Sequence, residues 1–314
     1  MSDNRSIAKE MAAAGLACTL ANGALHGLET TKVKLQLQDP TRPAYNATSP
    51  WVVVQQIVRQ EGVWNGLVKP GLTTSLTRST LYGSFRVGLY PQVRDTVVWL
   101  SDRTSTSAEQ RGPTVFHRLA SGMLTGGIGS LLSCPLDVVR TRLQADAGKI
   151  CYETNIYITG LRTGLPVRYL GMWDALVKIA RSEGWKNGLY RGSSVTISRA
   201  ILLNGTQLAS YDTMKSQLTG SDPSKPQRET PLLHVVCALC SGVIAQTAVM
   251  PLDTIKASRM MGFSGSTILQ RLRQQGPWML YRGYAPACAG QGIIMVLQMP
   301  LVEEFRRLLG VGHI

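Results

Sequence analysis

The feature that most constrains this chain is a charged motif that occurs three times. Residues 135–144 read PLDVVRTRLQ, residues 251–260 read PLDTIKASRM, and residues 27–36 read GLETTKVKLQ. Each copy has an acid followed three positions later by a base. Because the copies lie roughly one hundred residues apart, the chain is predicted to fold as three similar units rather than as one large domain.

A second motif follows each copy of the first. It reads EGWKNGLYRG in residues 183–192, keeps only EG and GL in residues 61–67, and lacks the acid in residues 276–283 (GPWMLYRG). Two linked motifs in the same order predict three tandem repeats, with boundaries at residues 1–112, 113–230 and 231–314.

The composition indicates a membrane environment. Only 17% of the residues are charged, against about a quarter in soluble proteins. Three stretches of about 20 residues have only small or weakly polar interruptions, long enough to cross a bilayer inside a bundle: residues 11–28, 119–139 and 232–255. Short amphipathic helices are predicted between the long ones, at residues 51–60, 173–182 and 266–274.

The charges also exclude several classes of protein. The net charge of +14 would suit nucleic acid or anionic lipid, but the basic residues are spread singly and form no nucleic-acid motif. We therefore expect no nucleic-acid partner, while cardiolipin or another anionic lipid fits the basic charge and the helix N-termini. No nucleophile with a base, metal cluster or phosphate loop is evident, so we expect no enzyme, no metal and no cofactor.

The charged motif has a spacing suited to pairing between repeats. An acid and a base at i and i+3 lie near one face of a helix, so in a threefold ring each acid can reach the base of the neighbouring repeat. Solvated charges at helix ends are the alternative, but three copies of the motif favour a set of ion pairs between repeats that closes one end of the ring. Pro135 and Pro251 should bend their helices at the motif.

Together, the two motifs resemble those of the mitochondrial carrier family over nearly the whole chain. The resemblance implies an all-α membrane protein with six transmembrane helices in three tandem repeats of pseudo-threefold symmetry, plus three short matrix-side amphipathic helices. It also implies a multi-pass location in the mitochondrial inner membrane. Its matrix gate would link Glu29 to Arg140, Asp137 to Lys256 and Asp253 to Lys32. Gln36 and Gln144 match a glutamine brace beneath the gate, whereas Met260 departs from it.

A cytoplasmic gate on the even-numbered helices is also implied by the resemblance. Residues 211–215 (YDTMK) match its motif fully, residues 302–306 lack the aromatic residue, and residues 90–94 lack the acid. Its members would be Arg94, Asp212, Lys215, Glu303 and Arg306. With an acid missing, this gate should be weaker than the matrix gate.

Two arginines are candidate substrate ligands. Arg78 and Arg199 lie well inside even-numbered helices, where an unpaired charge is costly and suits an anionic ligand. Both resemble cavity arginines of the branch that holds the oxoglutarate, dicarboxylate and uncoupling carriers, and Arg86 matches a further basic position. Purely structural pairing is the alternative. Gly290 replaces a third cavity arginine, and Asn22 replaces an acid of uncoupling carriers, which argues against proton transport.

The function implied is antiport of small carboxylate anions, dicarboxylate-like or oxoacid-like, across the inner membrane by alternating access. The alternative is a carrier-derived protein that no longer transports and is a structural subunit of a larger inner-membrane complex, for example a respiratory one. The expected partners are a small anionic metabolite, membrane lipids and, on the alternative, other complex subunits. The long loop at residues 145–170 is either a docking element or a tolerated insertion.

Overall fold

The computed structural model describes residues 2–38, 44–45, 49–104, 115–151, 153–219 and 231–309. The helices are α1 (Ser2–Ala24), α2 (His26–Leu37), α3 (Pro50–Gln60), α4 (Leu72–Gly88), α5 (Tyr90–Thr104), α6 (Val115–Ala145), α7 (Met172–Ser182), α8 (Ser193–Thr219), α9 (Pro231–Met260), α10 (Gly265–Gln275) and α11 (Tyr284–Leu308). Two short strands, β1 (Ile150–Cys151) and β2 (Ile156–Tyr157), pair antiparallel between α6 and α7.

The long helices form a closed ring. Helix α1 packs on α4, α4 on α6, α6 on α8, α8 on α9, α9 on α11, and α11 returns to α1. Helices α2, α6 and α9, which carry the three charged motifs, also meet one another at one end. The all-α prediction is confirmed, and the ring brings the motifs of all three repeats together.

The three short helices form within one residue of the predicted bounds. Helix α3 buries Val53 and Ile57 and helix α7 buries Ala175 and Ile179, pairs that lie one turn apart on one face. Trp173 on the opposite side of α7 is 73% exposed. Their amphipathic pattern is therefore used as the sequence predicts, with one face against the ring.

The long helices differ between repeats in where they break. Helices α6 and α9 continue without a break through Pro135 and Pro251, so the bends predicted at these prolines stay a prediction. The first repeat is the broken one, since α1 and α2 meet at an angle of 63° across Leu25. A second break separates α4 from α5 at Leu89, two residues before Pro91, which lacks the N–H that a continuous helix needs at this point.

The outer surface of the ring is apolar. Leu16 and Leu20 on α1, Leu124 and Ile128 on α6, and Val243 on α9 are each more than 40% exposed. By length and composition, the described residues contain one helix that could cross a membrane, Ala120–Ala145, or two if the bent pair α1 and α2 forms one span. The other long helices carry polar residues on their inner faces, and these lower the average hydropathy.

Candidate functional site

The ring encloses a cavity of about 260 Å³. Its walls carry more positive than negative charge. The basic side chains are Lys32, Arg78, Arg86, Arg140, Arg199 and Lys256, and the acidic ones are Glu29, Asp137 and Asp253. Six bases against three acids leave three excess positive charges, so the cavity favours an anion.

The three charged motifs meet at one end of this cavity as ion pairs between repeats. Glu29 pairs with Arg140, Asp137 with Lys256 at 2.8 Å, and Asp253 with Lys32. We call these the gate ion pairs. Each joins a different pair of repeats, and Asp137 and Asp253 are only 5% exposed. Removing one partner from an ion pair this enclosed costs more than removing it from a surface pair, because the other charge is left buried without a counter-charge.

The gate acids have further partners, and these are the two candidate ligands. Arg78 donates its Nε to Asp137, and Arg199 donates its Nε to Asp253. The expectation that these arginines are unpaired is therefore wrong. That expectation assigned each acid one base. A carboxylate has two oxygens, and helix packing brings Arg78 of α4 or Arg199 of α8 to the second oxygen.

The remaining edges of both guanidinium groups stay available. The terminal nitrogens of Arg78 and Arg199 donate no hydrogen bond to any described residue. The two side chains are 17% and 26% exposed, and both line the cavity. A single guanidinium group therefore binds a gate acid on one edge and presents N–H donors to the cavity on the others.

The third gate acid differs from the other two. Among the described residues, Glu29 pairs with Arg140 alone. The residue that would supply a second cation by analogy is Gly290 on α11, and a Cβ built there would meet no atom within 4 Å. The absence of a side chain at Gly290 thus leaves open space, and Glu29 is a singly paired acid.

Arg86 lies on the same helix as Arg78. The ring of Tyr82 lies between them, 5.3 Å from the guanidinium carbon of Arg78 and 5.8 Å from that of Arg86. Arg86 forms no ion pair with a described carboxylate. It is therefore the cavity base most readily available to a ligand, held in place by a cation–π contact.

The glutamine positions beneath the gate are buried, and they differ in their contacts. Gln144 donates to the hydroxyl of Thr30 in the first repeat at 3.3 Å. The side-chain nitrogen of Gln36 has no hydrogen-bond partner in the described structure. Met260, which replaces the third glutamine, accepts a weak hydrogen bond from Thr141 at 3.6 Å. One cross-repeat glutamine contact is present at this level.

Sequence reasoning missed a second set of ion pairs, which join the two motifs within a repeat. In the first repeat Lys34 binds Glu61 at 2.5 Å, and the hydroxyl of Tyr45 donates to the same carboxylate at 2.7 Å. Lys34 and Glu61 are fully buried. Burial and the adjacent Glu61 carboxylate raise the pKa of Tyr45, so its hydroxyl remains a donor. We call this contact a staple.

The second repeat has the same staple in a more open form. Arg142 makes two hydrogen bonds to Glu183, of 2.5 and 2.7 Å, and one to Tyr169. The Arg142 guanidinium lowers the pKa of Glu183, which is 33% exposed. The third repeat has Ser258 and Gln275 at the equivalent positions. The sequence signal for these ion pairs was available: a second base in the charged motif (Lys34 or Arg142) and the glutamate of the motif that follows it (Glu61 or Glu183).

The opposite end of the cavity is less fully described. Arg94 pairs with its neighbour Asp95 at 2.9 Å, and Arg306 pairs with Glu10 of α1 at 3.3 Å. Glu303 is exposed. The side chains of Asp212 and Lys215 lie outside the described residues. Arg306 thus reaches an acid on α1 that the motif comparison did not consider.

Comparison with known proteins identifies the class. The family model for mitochondrial carrier proteins matches residues 3–99, 111–222 and 227–312. This chain therefore belongs to the mitochondrial carrier family, and it is a multi-pass protein of the mitochondrial inner membrane. It is a carrier of metabolites or anions and not an enzyme.

Individual relatives carry the same relationship over nearly full length. The chain is 30% identical to mitochondrial uncoupling protein 1 of Arabidopsis thaliana, covering 97% of this chain and 95% of that protein. It is 27% identical to mitochondrial uncoupling protein 5 of the same plant, with 96% and 97% covered. Mitochondrial brown fat uncoupling protein 1 of Canis lupus familiaris is 28% identical, with 95% and 91% covered.

Proposed function

We propose that this protein exchanges small carboxylate anions across the inner membrane by alternating access, with Arg78 and Arg199 as the main substrate ligands and Arg86 as an accessory one. The observation that carries the proposal is the position of each guanidinium group between a gate acid and the cavity. One edge binds a gate acid, and the other N–H donors face the cavity. Planar guanidinium groups suit carboxylates because they offer two parallel donors.

This arrangement couples substrate binding to the gate. A substrate carboxylate attracts Arg78 and Arg199 toward the cavity, and each gate acid then keeps only its lysine, Lys256 or Lys32. Because substrate binding competes with these ion pairs, it destabilises the closed state and raises the population of the open one. Without substrate, both cations remain on each acid and the gate stays closed.

The number of free donors limits the size of the substrate. Arg78 and Arg199 supply the guanidinium groups proposed to bind substrate near the gate, and Gly290 provides none opposite them. Each charge-assisted contact contributes about 1.5–3 kcal/mol to binding. A third carboxylate on the substrate would have no third guanidinium group to bind, so it would add little affinity. We therefore expect dicarboxylates and oxoacids to bind more tightly than tricarboxylates.

Proton transport is not part of the proposal, although the relatives are uncoupling proteins by name. Asn22 lines the cavity where the resemblance expects an acid, and its side-chain nitrogen donates to the carbonyl oxygen of Cys18 at 2.8 Å. An amide does not titrate in the working pH range, so it cannot carry a proton across this level.

Six spans are proposed from the ring and its apolar exterior: α1 with α2, α4 with α5, and α6, α8, α9 and α11 singly. Polar side chains then face the cavity and apolar ones face lipid, as for spans that line a substrate path. The short helices α3, α7 and α10 would lie at the matrix surface, where Trp51 and Trp173 can enter the lipid interface. Cardiolipin or another anionic lipid would bind there.

The test is exchange of radiolabelled anions by the protein in liposomes, together with thermal shifts in detergent. Malate, succinate, oxoglutarate, citrate, phosphate and a nucleotide form the panel, since a ligand that binds only the folded state raises the melting temperature. Arg78→Ala and Arg199→Ala should abolish exchange of dicarboxylates and remove their thermal shift. Arg181→Ala, an exposed arginine of α7, is the charge-matched control and should leave both unchanged.

Two results would contradict the proposal. Exchange that survives in both cavity variants would remove these arginines from the substrate site. A folded protein that responds to no anion, and that purifies only within a large assembly, would instead favour the non-transporting structural subunit. Both cavity variants should also be less stable than the unmodified protein, because each removes one of the two cations of a buried gate acid.

A further inference from the structure

The segment between α6 and α7 is a folded element. Strands β1 and β2 pair with Ile150 opposite Tyr157, and the ladder is extended by a hydrogen bond of 2.8 Å from the Ile158 amide to the carbonyl of Lys149. A Cβ on Gly148 would lie 2.1 Å from the Thr159 carbonyl oxygen, and one on Gly160 would lie 2.3 Å from that of Ala147. The two arms of this hairpin therefore pack too closely for any side chain at these glycines.

An ion pair anchors the hairpin to the end of α6. Asp146 follows the last residue of the helix, and its carboxylate lies 3.5 Å from the guanidinium group of Arg162. The two side chains are 3% and 10% exposed. The pair is buried and makes no hydrogen bond, and it places Leu161, the residue that precedes Arg162, near the end of α6.

Leu161 packs on an apolar cluster that is built from all three repeats. It contacts a cluster formed by Leu37 of α2, Ala145 of α6 and Ala257 of α9. It also packs on the first-repeat cluster that includes Ile57. Val33 and Ala257 belong to these surroundings and line the cavity as well, so the cluster on which Leu161 packs adjoins the cavity.

The position of Leu161 matches the weakest part of the gate. Two ion pairs join the first repeat to the second (Glu29–Arg140 and Arg78–Asp137), and two join the second to the third (Asp137–Lys256 and Arg199–Asp253). Among the described residues of the gate ion pairs and their two cavity arginines, a single pair, Lys32–Asp253, joins the third repeat to the first. We call this junction the 3–1 seam. Leu161, from the second repeat, packs on the cluster that spans this seam.

We propose that Leu161 and its hairpin form a second closure beneath the gate ion pairs, covering the 3–1 seam where the third cavity cation is missing. Separation of α2 from α9 must break up the cluster of Leu37, Ala145 and Ala257 on which Leu161 packs. The hairpin is fixed to α6 through Asp146, so it moves with the second repeat and uncovers the seam when the repeats rotate apart. The inference rests on alternating access in the proposed function, but not on the identity of the substrate.

The test measures access to the cavity from the side on which the hairpin lies. Ala200, a half-buried residue of the cavity wall, is replaced by cysteine as a reporter. Oriented proteoliposomes are treated on the hairpin side with a charged, membrane-impermeant thiosulfonate reagent, and labelling is read for each peptide by mass spectrometry. Cys151 on the hairpin itself lies outside the cavity and serves as the internal standard. No substrate is needed.

Leu161→Ala should raise the labelling rate of the reporter about tenfold, because losing a partly buried leucine shifts the open-to-closed ratio by about that factor. Leu161→Val should raise it about threefold. Leu165→Ala, which alters a leucine of the same segment that is 46% exposed, should leave it unchanged. Labelling of Cys151 should be equal in all variants.

Reporter labelling that stays at the parent rate in both Leu161 variants, with Cys151 labelled normally, would overturn the inference and leave Leu161 a packing residue. If Leu161→Ala fails to fold, the Val variant decides the question. An equal rise in Leu165→Ala would also overturn it, since the effect would then belong to the whole segment. The two proposals can fail separately. If the Arg78 and Arg199 variants lose anion exchange while the Leu161 variants keep the parent labelling rate, the closure is refuted and the substrate site is not.

Discussion

The two staples allow one interaction to be measured at two degrees of burial in the same chain. Glu61→Gln removes the negative charge from a carboxylate that is fully buried between Lys34 and Tyr45. The amide keeps the shape and an acceptor oxygen, but it leaves Lys34 charged and buried without an anion. Breaking a buried pair in this way costs about 3–5 kcal/mol, and we expect the lower end because one hydrogen bond survives.

Glu183→Gln is the matched change in the second repeat. Glu183 is 33% exposed, so water compensates part of the lost charge. Arg142 also keeps two partners, the hydroxyl of Tyr169 and the carbonyl of Met260 at 3.0 Å. The expected cost is therefore about 1 kcal/mol, well below that of the first repeat.

The assay is thermal unfolding in mild detergent, followed by the fluorescence of the six tryptophans. A destabilisation of 1 kcal/mol corresponds to about 2 °C for a chain of this size. Glu61→Gln should therefore lower the melting temperature by about 6 °C and Glu183→Gln by about 2 °C. Gln275→Ala, at the equivalent position of the third repeat, should change it little because that repeat has no staple.

An apolar replacement provides the control. Lys34→Met, Glu61→Leu and Tyr45→Phe combined remove every polar group of the staple, and they should recover most of the stability lost in Glu61→Gln. Equal losses in Glu61→Gln and Glu183→Gln would refute the argument from burial. So would a triple variant less stable than Glu61→Gln alone, since the staple would then hold the repeat through its charges.

Two further predictions concern single residues. Burial raises the pKa of Asp146 to about 6 despite the opposing effect of Arg168 and Arg142, so the cost of burying this carboxylate outweighs its contact with Arg162. An acid whose pKa rises on folding stabilises the fold below its unfolded pKa and loses that contribution as pH rises through the folded value. Relative to Asp146→Asn, the unmodified protein should therefore lose about 1–3 kcal/mol between about pH 4 and pH 7 in thermal melts. Gly290→Arg should raise the melting temperature by a few degrees, provided that the new guanidinium group reaches Glu29; no change would show that it does not.

Much of the fold could be predicted because the information is local and repeated. The acid and base of each motif lie three residues apart, so helical geometry alone places them on one face, and three copies require a ring. The short amphipathic helices were also predictable, since their apolar residues recur at the helical period. Helix α3 ends at the predicted residue, Gln60.

The features that the sequence did not predict depend on contacts between residues far apart in the chain. Nothing in the local pattern states that Arg78 reaches Asp137, because that contact depends on how α4 packs against α6. The break at Leu25 was not predicted either, since proline, the usual cause of a bend, is replaced by Gly27 at the motif position of that repeat. The hairpin after α6 could be recognised as an insertion, but its contact with the opposite repeats arises only in the folded chain.

The departures from threefold symmetry concentrate in one part of the molecule. Gly290 removes a cation from the gate between the third and first repeats, and the third repeat also lacks the staple that its two counterparts have. A closed ring opens first at its weakest junction, because the free energy needed to separate the repeats there is smallest. Leu161 adds apolar contacts at that same junction. The hairpin can therefore be understood as a compensation: burial of a leucine replaces, in part, an ion pair that the third repeat no longer supplies.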